Sequence, residues 1–435
     1  MPAQTAKLIR AVGFWGLVAM CINAVVGSGV FLLPSESYKL LGPFSLWIPL
    51  LAVVPVFVLV LCFAEAASHF SEPGGAYLYA RTAFGDFIGF ETGWMNWLAR
   101  VTSLASLSNG FVLALARLYP SLGTGIPRAT VIIATVAILA IIHLIGVRYG
   151  AASIYVFTAG KLIPLILFIV VALIAWKHNP FPGSMSISES MDLRQAWLFV
   201  LFAYAGFENL GVPAGEFKNP RRDLPMALLV GTVAIGALYS LTQLGAMSAL
   251  PDLSKTSTPI ADAAFELIGS AGAIIITVGS LLSMAGTNSG TMLEGSRMLY
   301  ALSLDRPRLR AISYVHPTFR TPTVAIVIHA LVALGLALGG SFAKLALLSA
   351  VARLTTYLFT CMAVPKLSRL DDVPSSALRA PSPARGRRRI VTLAILGTLI
   401  SLGSFLCLNR FQFLAAAIAI VVGAIVALTT RHGRL

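Results

Sequence analysis

Long apolar runs, each near the roughly 20 residues needed to cross a bilayer, recur about twelve times along the chain. Short polar segments separate the runs, and the runs are too long for the core helices of an ordinary soluble domain. This pattern predicts an all-α polytopic membrane protein with about twelve transmembrane helices. The predicted spans are residues 12–38, 43–67, 84–115, 127–147, 153–176, 193–215, 225–249, 266–299, 323–339, 342–364, 390–408 and 411–430.

Composition agrees with lipid as the solvent of this chain. Hydrophobic residues make up 57% of the sequence and charged residues only 11%, whereas soluble proteins carry about 25% charged residues. No cleavable signal pattern is seen, so the first run is expected to remain as the first helix. The four cysteines lie in apolar runs without metal-ligand spacing, which predicts no disulfide framework, no metal and no cofactor.

The net charge of +15 is distributed as in a membrane protein. If the N-terminus is cytoplasmic, the inner segments hold 21 of the 32 Lys and Arg residues and the outer segments hold eight. The remaining three, Arg100, Lys161 and Arg353, lie within spans. This bias predicts a protein of the cell (inner) membrane with both termini on the cytoplasmic side. No basic, aromatic-interleaved stripe points to nucleic acid as a partner.

The first predicted helix contains Gly27-Ser28-Gly29 near its middle. Glycine weakens a helix, and an unwound backbone in lipid must line a cavity or be buried in protein. The half-helix that follows would direct its N–H groups at an anion such as a carboxylate. Close packing of small residues against a neighbouring helix is the alternative, and a dinucleotide fingerprint is incomplete here.

The sixth predicted helix contains Gly206 next to Glu208. A carboxylate at this depth marks a pathway or a partner, although a structural ion pair or a protonated glutamate would also explain it. Interrupted helices at corresponding positions in two halves of a transporter indicate a binding site at the membrane midplane.

Four stretches give the chain a resemblance to a known family. The stretches are Val26–Pro34; Ala64-Glu65-Ala66 with Pro73–Tyr77 and Phe84-Gly85; Gly206-Phe207-Glu208 with Gly215–Pro225; and Ser296–Leu302. In these motifs, their order and their spacing across roughly residues 12–365, the chain resembles the amino acid–polyamine–organocation (APC) superfamily of transporters.

The resemblance implies a LeuT-like fold with broken helices one and six. It implies five plus five inverted helices, at residues 12–176 and 193–364, followed by two C-terminal helices at 390–430. The expected cytoplasmic segments are an N-terminus at 1–11, a linker at 365–389 and a C-terminus at 431–435. The linker is rich in Pro, Ser and Arg, which favours a solvated loop over a proline-rich peptide ligand.

The resemblance also implies a bound α-amino acid as the small-molecule partner. Its carboxylate would meet the backbone N–H groups of Gly27, Ser28 and Gly29. Its ammonium would meet carbonyl groups of Val25, Phe202 and Ala205, with the Phe202 ring closing over it. Its side chain would be enclosed by helices three and eight, through Ser103, Leu104, Leu107 and Asn288.

Lys161, in the fifth span, is the predicted coupling residue. A lysine at this depth can exchange a proton, unless it extends to the cytoplasmic interface. In the family, a lysine here takes the place of the sodium ion of sodium-coupled relatives. We therefore predict sodium-independent, proton-coupled uptake with the proton as a second partner, and an amino acid exchanger as the alternative.

Two further sets of charged residues have candidate roles. Arg100 could pair with Glu208 or read an acidic substrate, while the apolar Leu104, Leu107 and Ala205 favour a neutral one. Glu216 in the loop after helix six and Glu65, with Glu72 and Arg81, could form an inner gate or merely hold helix ends. An enzyme is disfavoured because no HExxH or nucleophile–base motif occurs, and no repeated filter indicates a channel.

Overall fold

A computed structural model of the chain describes residues 12–70, 74–146, 151–181, 191–210, 218–304, 306–370 and 383–430. Within these residues the secondary structure is helical, and nine helices are long and apolar enough to cross a membrane, or ten if one bent pair counts as a span. The prediction of an all-α polytopic membrane protein is therefore confirmed. Two shorter apolar helices, α8 and α11, accompany these spans.

The described residues form fourteen α-helices and several short 3-10 turns. In chain order the helices are α1 (Phe14–Val25), α2 (Gly29–Leu41), α3 (Ile48–Ser68), α4 (Gly75–Phe84), α5 (Asp86–Leu118), α6 (Gly125–Ile145), α7 (Ala151–Ile174), α8 (Leu193–Tyr204), α9 (Pro220–Ala249), α10 (Pro259–Leu304), α11 (Thr323–Gly339), α12 (Phe342–Leu370), α13 (Pro383–Phe405) and α14 (Arg410–Thr430).

The first predicted span is two helices. Helix α1 ends at Val25, α2 begins at Gly29, and the two segments are bent by 45°. The sixth predicted span is likewise interrupted, because α8 ends at Tyr204 and only a 3-10 turn, Phe207–Asn209, follows before residue 211. We call residues 26–28 the first break and residues 205–206 the second break.

Helix α5 lies at the centre of the helical assembly. It packs against α4, α10, α11, α12 and α14. Of the residues in its apolar stretch, 78% are buried. Its inner position explains why it can carry Asn96, Arg100, Ser103 and Asn109 as buried polar residues. These side chains are available to partners on several neighbouring helices.

Two predicted boundaries differ in detail from the observed helices. Helix α10 contains non-helical residues at Ile268 and Gly269, so a short helix precedes its long transmembrane part. Helix α12 continues to Leu370 and α13 begins at Pro383. The central part of the predicted linker lies outside the described residues.

Candidate functional site

The backbone at the first break leaves polar groups without helical partners. Val26 is extended, with φ −73° and ψ 90°, and Ser28 is the first residue before α2. The first N–H groups of a helix have no partner within it, so the start of α2 presents donors to the break. The Ser283 hydroxyl of α10 lies 3.2 Å from the carbonyl oxygens of both Val26 and Gly27. The break is thus braced by α10 at its carbonyl groups.

Lys161 of α7 reaches the same break. Its side chain is fully buried, and Nζ donates to the carbonyl oxygens of Val26 at 2.7 Å and Asn23 at 3.1 Å. Thr287 Oγ1 of α10 lies 3.4 Å from the same nitrogen. The lysine therefore does not extend to an interface. Its ammonium group binds carbonyl oxygens at the C-terminal end of α1.

The second break is formed by Ala205 and Gly206. Ala205 is extended, and Gly206 has φ 129°, a conformation that side-chain-bearing residues rarely adopt. The Gly206 N–H donates to Glu208 Oε2 at 2.7 Å. The glutamate carboxylate therefore takes up a backbone donor that the interrupted helix would otherwise leave unpaired.

The second break is in direct contact with the end of α1, and the start of α2 is in contact with the end of α8. A Cβ placed on Gly206 would lie 2.4 Å from the Ala24 carbonyl oxygen, and one on Gly29 would lie 3.0 Å from the Ala203 Cα. The Tyr239 hydroxyl of α9 donates to the Ala203 carbonyl at 2.9 Å and lies 3.3 Å from that of Val25. One hydroxyl thus serves the ends of both broken helices.

A buried cluster of charged residues adjoins the second break. Glu208 Oε1 accepts from Arg100 Nη2 of α5 at 2.9 Å and from Arg353 Nε of α12 at 2.8 Å. Arg100 Nη1 also pairs with Glu294 Oε2 of α10 at 3.1 Å. We call Arg100, Glu208, Glu294 and Arg353 the charge cluster. It contains two cations and two carboxylates, which suits a buried location.

The predicted side-chain pocket residues occupy different surroundings. Leu107 faces the first break, because a Cβ on Gly27 would lie 3.6 Å from its Cδ2. Leu104 belongs to a separate apolar cluster with residues of α10 and α11. The ring of Phe202 packs edge-on against Phe342 at 6.2 Å. Of these three predicted residues, only Leu107 is brought next to the first break by the contacts described.

Ser103 and Asn288 hydrogen-bond to other polar residues of the protein. Ser103 Oγ accepts from Arg353 Nη2 at 3.0 Å and lies 2.8 Å from Ser349 Oγ, so it adjoins the charge cluster. Asn288 Nδ2 donates to Ser108 Oγ at 3.3 Å. The side-chain amide oxygen of Asn288 is buried and has no hydrogen-bond partner among the described residues.

Two of the three carbonyl groups predicted to meet an ammonium, those of Val25 and Phe202, already accept protein donors. The Val25 carbonyl is near Tyr239, and the Phe202 carbonyl accepts from the Ala205 N–H at 3.2 Å. Each carbonyl oxygen has two lone pairs and can accept a second donor. Near the first break, within the described part of the chain, Ser28 Oγ and Asn23 Oδ1 are buried without a hydrogen-bond partner. Such groups commonly indicate a water or ligand that would complete them.

The residues predicted for an inner gate are only partly described. Glu65 Oε1 lies 3.6 Å from His69 Nε2 within α3, and Arg81 Nε pairs with Asp86 Oδ1 at 3.2 Å. Glu72 and Glu216 lie outside the described residues. A shared gate between these four residues therefore stays a prediction.

Several residues of the site were not among the sequence candidates. They share the property of being polar within apolar helices, and they are Tyr239, Ser283, Thr287, Glu294 and Ser349. Glu294 could have been singled out as a carboxylate inside a span. Ser283 and Thr287 are four residues apart and therefore share one face of α10. For Tyr239 and Ser349, no signal distinguishes them from other hydroxyl residues in spans.

The chain is similar in sequence to a family of known proteins and to several of its members. The profile of the family described as amino acid permease matches residues 12–427. The serine/threonine exchanger SteT of Bacillus subtilis (strain 168) is 30% identical over 432 residues, which cover 97% of this chain and 96% of that protein. The arginine/ornithine antiporter of Pseudomonas aeruginosa is 28% identical over 309 residues, covering 66% and 63%. The mouse b(0,+)-type amino acid transporter 1 is 25% identical over 349 residues, covering 76% and 70%.

Proposed function

This chain belongs to the amino acid permease family of the APC superfamily, and we propose that it exchanges neutral α-amino acids across the cell membrane without sodium. It is a transporter and not an enzyme. Exchange was the alternative to proton-coupled uptake in the sequence analysis. Two of the proteins similar to this chain are named as an exchanger and an antiporter, which favours exchange over proton-coupled uptake.

The contact of Lys161 with the first break is the observation that carries this proposal. Its Nζ donates to the Val26 carbonyl at 2.7 Å and is held between α1 and α10. An ammonium group tethered to the protein satisfies these carbonyl groups without an ion from solution. Because the Lys161 ammonium already occupies the first break, a sodium ion is not needed to order the break.

The substrate would lie between the two breaks. Its carboxylate would bind backbone N–H groups of Gly27, Ser28 and Gly29 at the start of α2, where the helix dipole favours an anion. Its ammonium would meet the carbonyl groups of Val25, Phe202 and Ala205. Phe202, Ser103, Leu104, Leu107 and Asn288 remain the proposed surroundings of its side chain.

A small neutral side chain, such as that of serine or threonine, is the substrate class we favour. Leu107 adjoins Gly27, and Ala205 forms the second break, so these positions offer apolar contacts and no charge. Both arginines near the second break are occupied by Glu208. An acidic substrate would have to displace that carboxylate.

The proposed architecture has twelve spans. They are the nine described candidates, the bent pair α1 and α2 counted as a tenth span, and the shorter α8 and α11. Five spans in 12–176 and five in 193–364 would form inverted repeats related through the two breaks, and residues 390–430 would add two more. Both termini and the 365–389 linker would lie in the cytoplasm.

Proteoliposomes containing the purified protein provide the test. We expect uptake of radiolabelled serine to be fast when the lumen contains unlabelled serine and slow when it contains none. Replacing sodium by potassium should not change the exchange rate. Equal uptake into loaded and empty vesicles would contradict exchange.

The Lys161→Ala variant separates exchange from proton coupling. For an exchanger, an imposed pH gradient should not accumulate serine in the wild type, and the variant should lose exchange because the break loses its buried cation. Accumulation driven by the gradient in the wild type, and lost in Lys161→Ala, would instead support proton-coupled uptake. Lys177→Ala, an exposed lysine after α7, serves as the matched control.

A further inference from the structure

The charge cluster joins four separate elements, three of them through the Glu208 carboxylate and the fourth through Glu294. Glu208 has no exposed side-chain area, while the side chains of Arg100 and Arg353 are 6% and 4% exposed. The guanidinium groups are carried by α5 and α12, and Glu294, whose side chain is 30% exposed, is carried by α10. Glu208 alone lies on the short 3-10 turn that follows the second break.

Glu208 connects the cluster to the backbone of the second break. Its Oε1 accepts from both arginines, and its Oε2 accepts from the Gly206 N–H at 2.7 Å. The Gly206 backbone in turn lies against the Ala24 carbonyl at the end of α1. A displacement of the second break relative to α5 and α12 must therefore stretch or break both ion pairs.

Separating Glu208 from Arg100 and Arg353 is unfavourable when no other group takes the place of the Glu208 carboxylate. Removing one partner from a buried ion pair leaves an uncompensated charge in a medium of low dielectric constant. Glu294 can compensate only one of the two arginines, and it already pairs with Arg100. In an empty carrier, movement of the second break would leave Arg353, among the described residues, with hydroxyl and carbonyl contacts from Ser103 and Ser349.

We propose that the charge cluster makes transport dependent on exchange by opposing movement of the empty carrier. An amino acid at the breaks brings binding energy to the neighbourhood of Gly206, through an ammonium group at the Ala205 carbonyl, which offsets the loss of the Glu208 ion pairs. An empty carrier has no such compensation and remains in place. This inference rests on the proposed exchange function and names the residues that enforce it.

Arg353 and Glu208 can be neutralised together to test this role. The Glu208→Gln/Arg353→Gln variant removes one charge of each sign, places neutral amides at both positions, and leaves the Arg100–Glu294 pair. We expect serine efflux into serine-free medium, relative to efflux into serine-containing medium, to rise by about tenfold over the wild type. An unchanged ratio in a folded, serine-binding variant would overturn the proposal.

A second ion pair between α5 and α10 supplies the matched control. Arg117 Nε and Asp262 Oδ1 lie 2.7 Å apart, away from the breaks, with side chains about one-third exposed. The Arg117→Gln/Asp262→Gln variant should keep the wild-type ratio of net efflux to exchange. A rise of the same size in this control would show that any lost helix–helix ion pair loosens the carrier, and would overturn the assignment.

Glu294→Gln gives a measurement that does not depend on the double variant folding. Without Glu294, Arg100 is paired with Glu208 alone, so the cluster should hold the second break more firmly. We expect slower serine exchange with the serine dissociation constant changed by less than about twofold. Exchange at the wild-type rate or faster would contradict the role of the cluster.

The failures of the two proposals are distinguishable. If the wild type releases serine equally fast into empty and serine-containing medium, the exchange function is wrong. If the wild type exchanges and the Glu208→Gln/Arg353→Gln variant keeps the wild-type ratio, only the assignment to the charge cluster is wrong.

Discussion

Gly206 lies where the second broken helix touches the first. Its φ of 129° is a conformation available mainly to glycine, and a Cβ there would lie 2.4 Å from the Ala24 carbonyl oxygen. Its N–H is also the backbone donor that holds Glu208. One residue without a side chain therefore determines both the contact of the second break with the end of α1 and the position of the central carboxylate.

Gly206→Ala should destabilise the protein strongly. Positive φ at a residue with a side chain costs of order 1–3 kcal/mol, and the contact with the Ala24 backbone adds to that cost. We expect a lower thermal unfolding temperature in detergent and loss of serine exchange. Gly290→Ala is the control, because Gly290 lies within α10 and a Cβ there would meet nothing within 4 Å. Equal stability of the two variants would contradict this interpretation.

Helix α9 stabilises the ends of both broken helices through one side chain. Tyr239 contacts the carbonyl oxygens of Val25 and Ala203, and its ring lies 5.2 Å from that of Tyr204. Tyr204 makes a similar hydrogen bond elsewhere, to the Pro49 carbonyl of α3 at 2.9 Å. Two buried tyrosines thus hold carbonyl groups, but only Tyr239 does so at the breaks.

Tyr239→Phe and Tyr204→Phe should therefore differ in function more than in stability. Each loses a buried hydroxyl donor, which costs about 1–3 kcal/mol when a carbonyl is left unsatisfied. Only Tyr239→Phe frees the carbonyl of Val25, a proposed ammonium partner. We expect the KM for serine exchange to change several-fold in Tyr239→Phe and by less than about twofold in Tyr204→Phe. Equal KM values in the two variants would remove Tyr239 from the site.

At the scale of the whole molecule, α5 organises the buried polar residues. It faces α10, α11, α12 and α14, and it contributes Arg100 and Ser103 to the surroundings of the second break. The lipid-facing helices α6, α7 and α14 instead expose many large apolar side chains, as expected for a protein whose solvent is hydrocarbon. Within the spans, the buried charged side chains thus lie at the centre and the exposed apolar area lies at the periphery.

The orientation of the molecule can be tested with single cysteines. In a background without the four native cysteines, we expect Ser121→Cys to react with a membrane-impermeant maleimide from outside the cell. Ser375→Cys should react only in inside-out vesicles, because Lys and Arg favour the cytoplasmic side. Ser121 is exposed in a 3-10 turn after α5. Labelling of both positions from the same side would contradict the predicted topology.

The amino-acid sequence predicted the helical membrane class and most span positions because these depend on local composition. A run of apolar residues near the bilayer thickness must form a helix, whichever neighbours it later meets. The interruption at Gly27-Ser28-Gly29 was also visible locally, since glycine weakens a helix at any position. The family followed from motifs within single segments, and its match over residues 12–427 agrees.

Contacts between distant segments were decided only by the tertiary structure. Glu208 was expected to have a partner, yet nothing in the sequence distinguished a pair with Arg100 from a cluster that also includes Arg353 and Glu294. Ser103, predicted as a pocket residue, adjoins that cluster because α5 and α12 pack together there. Local patterns therefore determined where the helices and breaks lie. Three-dimensional packing decided which buried charges and carbonyl groups satisfy one another, because those partners lie more than 100 residues apart.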